Sequence, residues 1–176
     1  MRLTFVGGTS MKVSILALAF ALSLAACAGS SPTTPSPPPS ATTSWIVTQR
    51  FGSVTGPDNC WVNEQRARWT PAVFPNLPMT VTRSDASVTF KSDAFQVNFA
   101  GAMSGSEFSA DGDRALQGGG GACQNGTAFP QLPGVSRLTG RFSSDTVMTA
   151  SEVNTYPLAG GGTVTYTWEW QATRAN

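Results

Sequence analysis

The chain has 176 residues, a net charge of +1, no His and only 12% charged residues. Without His, the commonest general base and the commonest metal ligand are both missing, and Arg residues dispersed along a near-neutral chain make no clustered positive surface for nucleic acid. Sparse Lys, Glu and Arg beside abundant Gly, Ser, Thr and Pro disfavour long solvated helices and favour short strands joined by turns.

In chain order, Met1 to Ser10 carries little pattern, whereas Met11-Lys12 followed by Val13 to Leu24 is a basic start and a short apolar run. Spanning a bilayer takes about 20 apolar residues, so this run has the length of a signal-peptide core instead. Translation from Met11 is an alternative to translation from Met1. The run closes on Leu24-Ala25-Ala26-Cys27, which resembles the lipobox of bacterial lipoproteins. The resemblance implies a diacylglyceryl group on the Cys27 thiol, cleavage after Ala26 and acylation of the new amine. More than one acyl chain anchors stably where a single chain binds only marginally. Ala28 after the Cys is compatible with an outer-membrane destination in a Gram-negative envelope, facing either the periplasm or the surface. The alternative is an ordinary secretory signal cut after Ala28, because Ala26-Cys27-Ala28 also fits a small-residue cleavage site.

Residues 1–26 are thus expected to be the signal peptide, 27–44 a lipid-anchored linker and 45–176 a β-rich domain of common size. The linker stretch Gly29 to Ser44 holds Pro32, Pro35, Pro37, Pro38 and Pro39 among Ser and Thr. Such a composition builds no core and favours an extended spacer, reaching roughly 40 Å from the membrane.

Within the domain, the spacing predicts strands at Trp45 to Phe51, Met79 to Arg83, Ser87 to Lys91, Phe95 to Phe99, Ser104 to Ser109, Val135 to Phe142, Val147 to Tyr156 and Thr163 to Arg174. The last is the clearest: Val164, Tyr166, Trp168, Trp170 and Ala172 alternate with polar residues. Cys60 to Trp69 fits both a helical face (Trp61, Gln65, Trp69) and a strand face (Trp61, Asn63, Gln65, Ala67, Trp69), and the strand is preferred. About eight or nine short strands in mostly local hairpins predict an all-β, antiparallel up-and-down barrel, with a β-sandwich as the alternative. The barrel is similar to the lipocalins in architecture only: Thr43-Ser44-Trp45 stands where that family carries Gly-x-Trp. An ending of Arg174-Ala175-Asn176, rather than a terminal aromatic, and a lipid anchor disfavour a membrane-spanning barrel.

Three internal echoes stand out. Phe74-Pro75-Asn76-Leu77-Pro78 and Phe129-Pro130-Gln131-Leu132-Pro133 are nearly one pentapeptide, a Cys precedes each, and Gly105 and Gly140 each lead into Phe-Ser-x-Asp. A duplicated β-meander accounts for all three; chance accounts for each singly.

Chemistry is narrowly bounded. No G-x-S-x-G occurs, no His exists to activate a Ser, and Lys91 is the only Lys after the signal. Glu107, Asp111, Asp113, Glu152 and Glu169 leave carboxylate chemistry formally open, although solvated strand faces and turns account for them. Asp111-Gly112-Asp113 lacks the regular ligands of a calcium loop, and Gly118 to Gly121 has no following Lys-Ser/Thr of a phosphate loop. Neither a metal nor a cofactor is expected. With Cys27 lipidated, Cys60 and Cys123 are an even remainder in an oxidising compartment, so they are expected to pair. Trp61, Trp69, Trp168 and Trp170 either fill the core or, beside Arg66 or Arg68, line a chamber for a small amphipathic ligand.

The expectation is a non-enzymatic lipoprotein of the cell envelope, held to the membrane by its lipid and serving binding or envelope structure. Its rivals are a carboxylate-dependent hydrolase of envelope glycans and a module that binds an envelope protein or inhibits a protease.

Overall fold

The computed structural model describes residues 40–115, 118–119 and 121–176. The signal segment, Cys27 and nearly all of the linker lie outside the described residues. Alternating apolar and polar residues produce eight strands: β1 (Ala41–Thr55), β2 (Val73–Arg83), β3 (Ser87–Ser92), β4 (Val97–Ser104), β5 (Glu107–Gly112), β6 (Val135–Phe142), β7 (Val147–Pro157) and β8 (Thr163–Arg174). Each pairs antiparallel with its sequence neighbour, and β1 closes on β8, giving a closed up-and-down barrel. The expected all-β barrel is therefore the fold, with the lipocalin-like architecture and without the alternative sandwich. Closure gives every strand a neighbour on both sides, although β2 meets β3 only over Thr80 to Arg83.

Several details differ from the sequence reading, and β2 begins at Val73 rather than at the expected Met79. The segment Cys60–Trp69 is a helix, α1, not a strand. Asn59 caps it, its side chain accepting from the Val62 N–H at 2.9 Å, and Trp69 Nε1 donates one turn back to Gln65 Oε1 at 2.8 Å. Both periodicities matched, but the capping Asn and a run of Glu, Gln, Arg and Ala favour the helix. Ser104 to Ser109 is not one strand: the chain reverses at Gly105-Ser106, with Gly105 at φ +61 and Ser104 paired to Glu107. A two-residue hairpin turn needs that left-handed backbone, which Gly supplies without strain. Phe95 ends a 3-10 turn, Asp93–Phe95, ahead of β4 rather than opening the strand. Finally, β1 takes in Ala41 to Ser44, four residues expected to be linker, because they pair with Thr80 to Arg83 on β2.

The barrel has two unlike ends. At the entry end, β1 begins beside Arg83, three short turns join β2–β3, β4–β5 and β6–β7, and β8 finishes. Here Trp45, Phe90, Phe108 and Phe142 close the interior, with Trp45 edge-on to Phe142 at 5.6 Å and Phe90 at 4.8 Å from Phe108. The opposite, capped end carries the long connections 56–72, which includes α1, and 113–134. Val47, Phe99 and Leu138 fill the middle. Gly140 lets the wall bend between β6 and β7: a Cβ there would press into the Thr149 carbonyl and lie 2.6 Å from Ala150 Cβ.

Candidate functional site

On β7, Met148 and Ala150 point inward, and the period of two carries Glu152 and Asn154 inward after them. Glu152 is wholly buried, with 0% exposure. Isolated burial of a carboxylate is costly unless it is paired and hydrogen-bonded, and here the donors converge from four elements. Gln49 on β1 donates to Oε2 at 2.7 Å, and Trp170 on β8 donates its indole N–H to the same oxygen at 3.0 Å. Asn154, two residues along β7, donates to Oε1 at 2.8 Å. Arg114 reaches in from the 113–134 connection, its Nη1 at 2.9 Å from Oε1 and 3.1 Å from Oε2. An outer layer orients these groups: Ser136 donates to Asn154 Oδ1 at 2.6 Å and accepts from the Ala115 N–H at 2.9 Å.

This centre meets the capped end through two tyrosines. Burial raises the Tyr156 hydroxyl above its ordinary value of 10.0, against the opposing pull of the Arg114 guanidinium. Burial likewise raises Tyr166, against the donation from Gln131 Nε2 at 3.0 Å. The Trp61 indole N–H lies close enough to favour the Tyr166 phenolate, but it does not meet hydrogen-bond geometry and is buried without a partner. The sign of the pH effect follows from the raised values. An unfolded tyrosine ionises from about pH 10 while the folded one still holds its proton, so stability is full below that pH and falls as pH rises through it. Tyr156→Phe is expected to flatten this alkaline decline in urea unfolding compared at about pH 9 and about pH 11; an unchanged decline would place the phenol in solvent.

The structure separates the residues singled out as ligand-lining. Trp170 belongs to the Glu152 centre. Trp168 lies inside the barrel against Phe51 at 5.2 Å and is covered by Trp69 from α1 at 5.8 Å. Trp61 lies over Gly121, whose missing Cβ makes room for the indole. Arg66 does not join them: it is exposed on α1 and donates to Asn63 Oδ1 at 2.9 Å. The tryptophans therefore pack as core and cap. Clefts among the described residues open outward, one of about 830 Å³ lying on the outer wall across β4 to β7, beside Val135 and Val153. Cys60 and Cys123 are bonded, with Cα atoms 5.9 Å apart, joining the first turn of α1 to the 113–134 connection.

Sequence reasoning named Glu152 only among solvated carboxylates and missed Gln49, Arg114, Ser136 and Asn154. One signal was available: Glu152 and Asn154 continue the phase of Met148 and Ala150, so the alternation that buries those two buries the polar pair as well. The chain finds no match among protein-family models, curated proteins or solved structures.

Proposed function

We propose that the protein is a lipid-anchored lipoprotein of the cell envelope whose barrel works by binding rather than by catalysis. The lipobox-like Leu24-Ala25-Ala26-Cys27 supports the anchor, and a disulfide suits an oxidising compartment outside the cytoplasm. The observation that carries the binding reading is the state of Glu152. It is the only buried carboxylate among the described residues, and its oxygens are engaged by Gln49, Asn154, Trp170 and Arg114. Glycoside hydrolysis needs two carboxylates facing a shared cleft, whereas Glu107, Asp111, Asp113 and Glu169 are exposed. Filled by its own side chains, the barrel offers its outer surface and rims to a partner in the envelope.

Cys27→Ser tests the anchor. The variant is expected to lose incorporation of labelled fatty acid and to keep its signal segment, so that its mass gains the uncleaved residues and lacks the acyl groups. An unchanged mass would remove the lipoprotein reading.

A further inference from the structure

At the capped end, α1 and the start of β2 bring together two features that a monomer has little use for. Val73 and Phe74 are apolar yet 42% and 37% exposed. Phe74 leans on Trp69 at 6.2 Å and on Trp168 at 5.8 Å, so the patch is rigidly backed by the core. Arg50 on β1 stands opposite Val73 in the ladder, and Arg68 lies over the Trp69 ring at 5.1 Å. The ion pairs among the described residues involve Arg83, Lys91, Arg114 and Arg137, not Arg50 or Arg68; Glu64, one turn before Arg68 on α1, accepts from the Gln124 N–H at 3.1 Å. Glu169 is the register neighbour of Arg50 on β8, but its carboxylate accepts from Ser151 instead.

From this juxtaposition we infer that the rim formed by Arg50, Arg68, Trp69, Val73 and Phe74 docks an acidic protein segment carrying an aromatic or branched aliphatic side chain. Arginine and aromatic side chains are the residues that most often dominate interfaces. Two guanidinium groups flanking an apolar centre select against basic partners by repulsion as well as for acidic ones by attraction. A protein fits better than the membrane surface, because the chain enters the barrel at Ala41, beside Arg83, at the opposite end. The inference rests on the binding reading above and gives it a partner class.

The test uses the full lipidated protein in the cells that produce it, with benzoyl-phenylalanine placed at Val73 and, as control, at the exposed Thr89 of β3. Irradiation is expected to give an adduct at Val73 and none at Thr89. Sequencing of the cross-linked segment is expected to show Asp or Glu beside an aromatic or branched aliphatic residue. Arg50→Glu combined with Arg68→Glu is expected to lower the adduct yield about tenfold, and Arg50→Gln with Arg68→Gln, which adds no repulsion, by a smaller factor. Absence of an adduct at Val73, a lipid adduct, a basic segment, or a yield indifferent to both pairs of substitutions would overturn the inference. Fractionation separates the two proposals. A soluble protein that still gives the acidic adduct loses the anchor and keeps the docking rim, whereas an anchored protein without the adduct does the reverse.

Discussion

Arg114→Ala is expected to lower the free energy of unfolding by about 3–5 kcal/mol, the cost of stranding a buried charge. The guanidinium is the only full positive charge on Glu152, and the carboxylate cannot turn toward water because it is wholly enclosed. Most folded domains are stable by only about 5–15 kcal/mol, so this one truncation removes a large fraction of the total. A surface pair makes the internal comparison. Asp111→Ala breaks the ion pair with Arg137, where both side chains are mostly exposed, and is expected to change stability by about 0–1 kcal/mol. The two pairs should also differ in salt dependence, since buried pairs are screened far less than exposed ones. Replacing both partners, as in Arg114→Met with Glu152→Leu, removes the stranded charge but leaves the Gln49, Asn154 and Trp170 donors without their acceptor. The double variant is therefore expected to remain less stable than the wild type while costing less than the sum of the two single substitutions. Urea unfolding of the wild type, Arg114→Ala, Asp111→Ala, Arg114→Met, Glu152→Leu and the double variant measures all of this. An Arg114→Ala variant within about 0.5 kcal/mol of the wild type would mean that the guanidinium does not reach the carboxylate.

The barrel was legible because its strands are half-buried and closed on local hairpins. The period of two in Thr163 to Arg174 and Val135 to Phe142 survives into β8 and β6 residue for residue, and the pairing of Cys60 with Cys123 follows from counting thiols. What was not legible depends on contacts between distant parts of the chain. Arg114 sits 38 positions from Glu152 and Gln49 103 positions from it, and no local pattern announces that three strands and a loop will converge on one carboxylate. The ambiguity at Cys60 to Trp69 is different in kind. Trp61, Gln65 and Trp69 satisfy both periods, so the capping Asn59 and the helix-favouring residues between them distinguish the two, and the cap is a side chain accepting from a backbone N–H rather than a hydrophobic pattern. The internal echoes divide along the same line. The first pentapeptide lies within β2 and the second just before β6, and the two Cys lie in the connections before those strands, four strands apart in a barrel of eight, as a repeated four-strand meander requires. The Phe-Ser-x-Asp echo falls on β5 and at the end of β6, one strand apart, and has no place in that repeat.

The second large effect concerns the capped end. Cys60→Ser with Cys123→Ser is expected to cost about 2–4 kcal/mol, because the bridge closes a loop with a sequence separation of 63 and removes unfolded-state entropy worth about 4 kcal/mol on the chain-entropy account. The location explains why a brace stands there. Short turns hold the entry end, with Ser104 paired directly to Glu107 and Phe142 to Met148, whereas 56–72 and 113–134 are long and carry little sheet of their own. Isolated bridges, Gly119 with Gln131 and Ala122 with Ala128, are what the second connection has instead. The loss should therefore be local before it is global. Hydrogen exchange is expected to quicken in α1 and around residues 121–131, while the Trp170 environment, built from β1, β7 and β8 with Phe99 of β4 edge-on to the indole, keeps its near-ultraviolet signal. A reductant supplies the control without any substitution: it should lower wild-type stability to that of the double variant and leave the variant untouched. Oxidised and reduced wild type unfolding at the same urea concentration would show that the bridge does not restrain the chain. Acceleration of exchange at the entry end instead would move the weak point of the barrel to the rim where β1 begins.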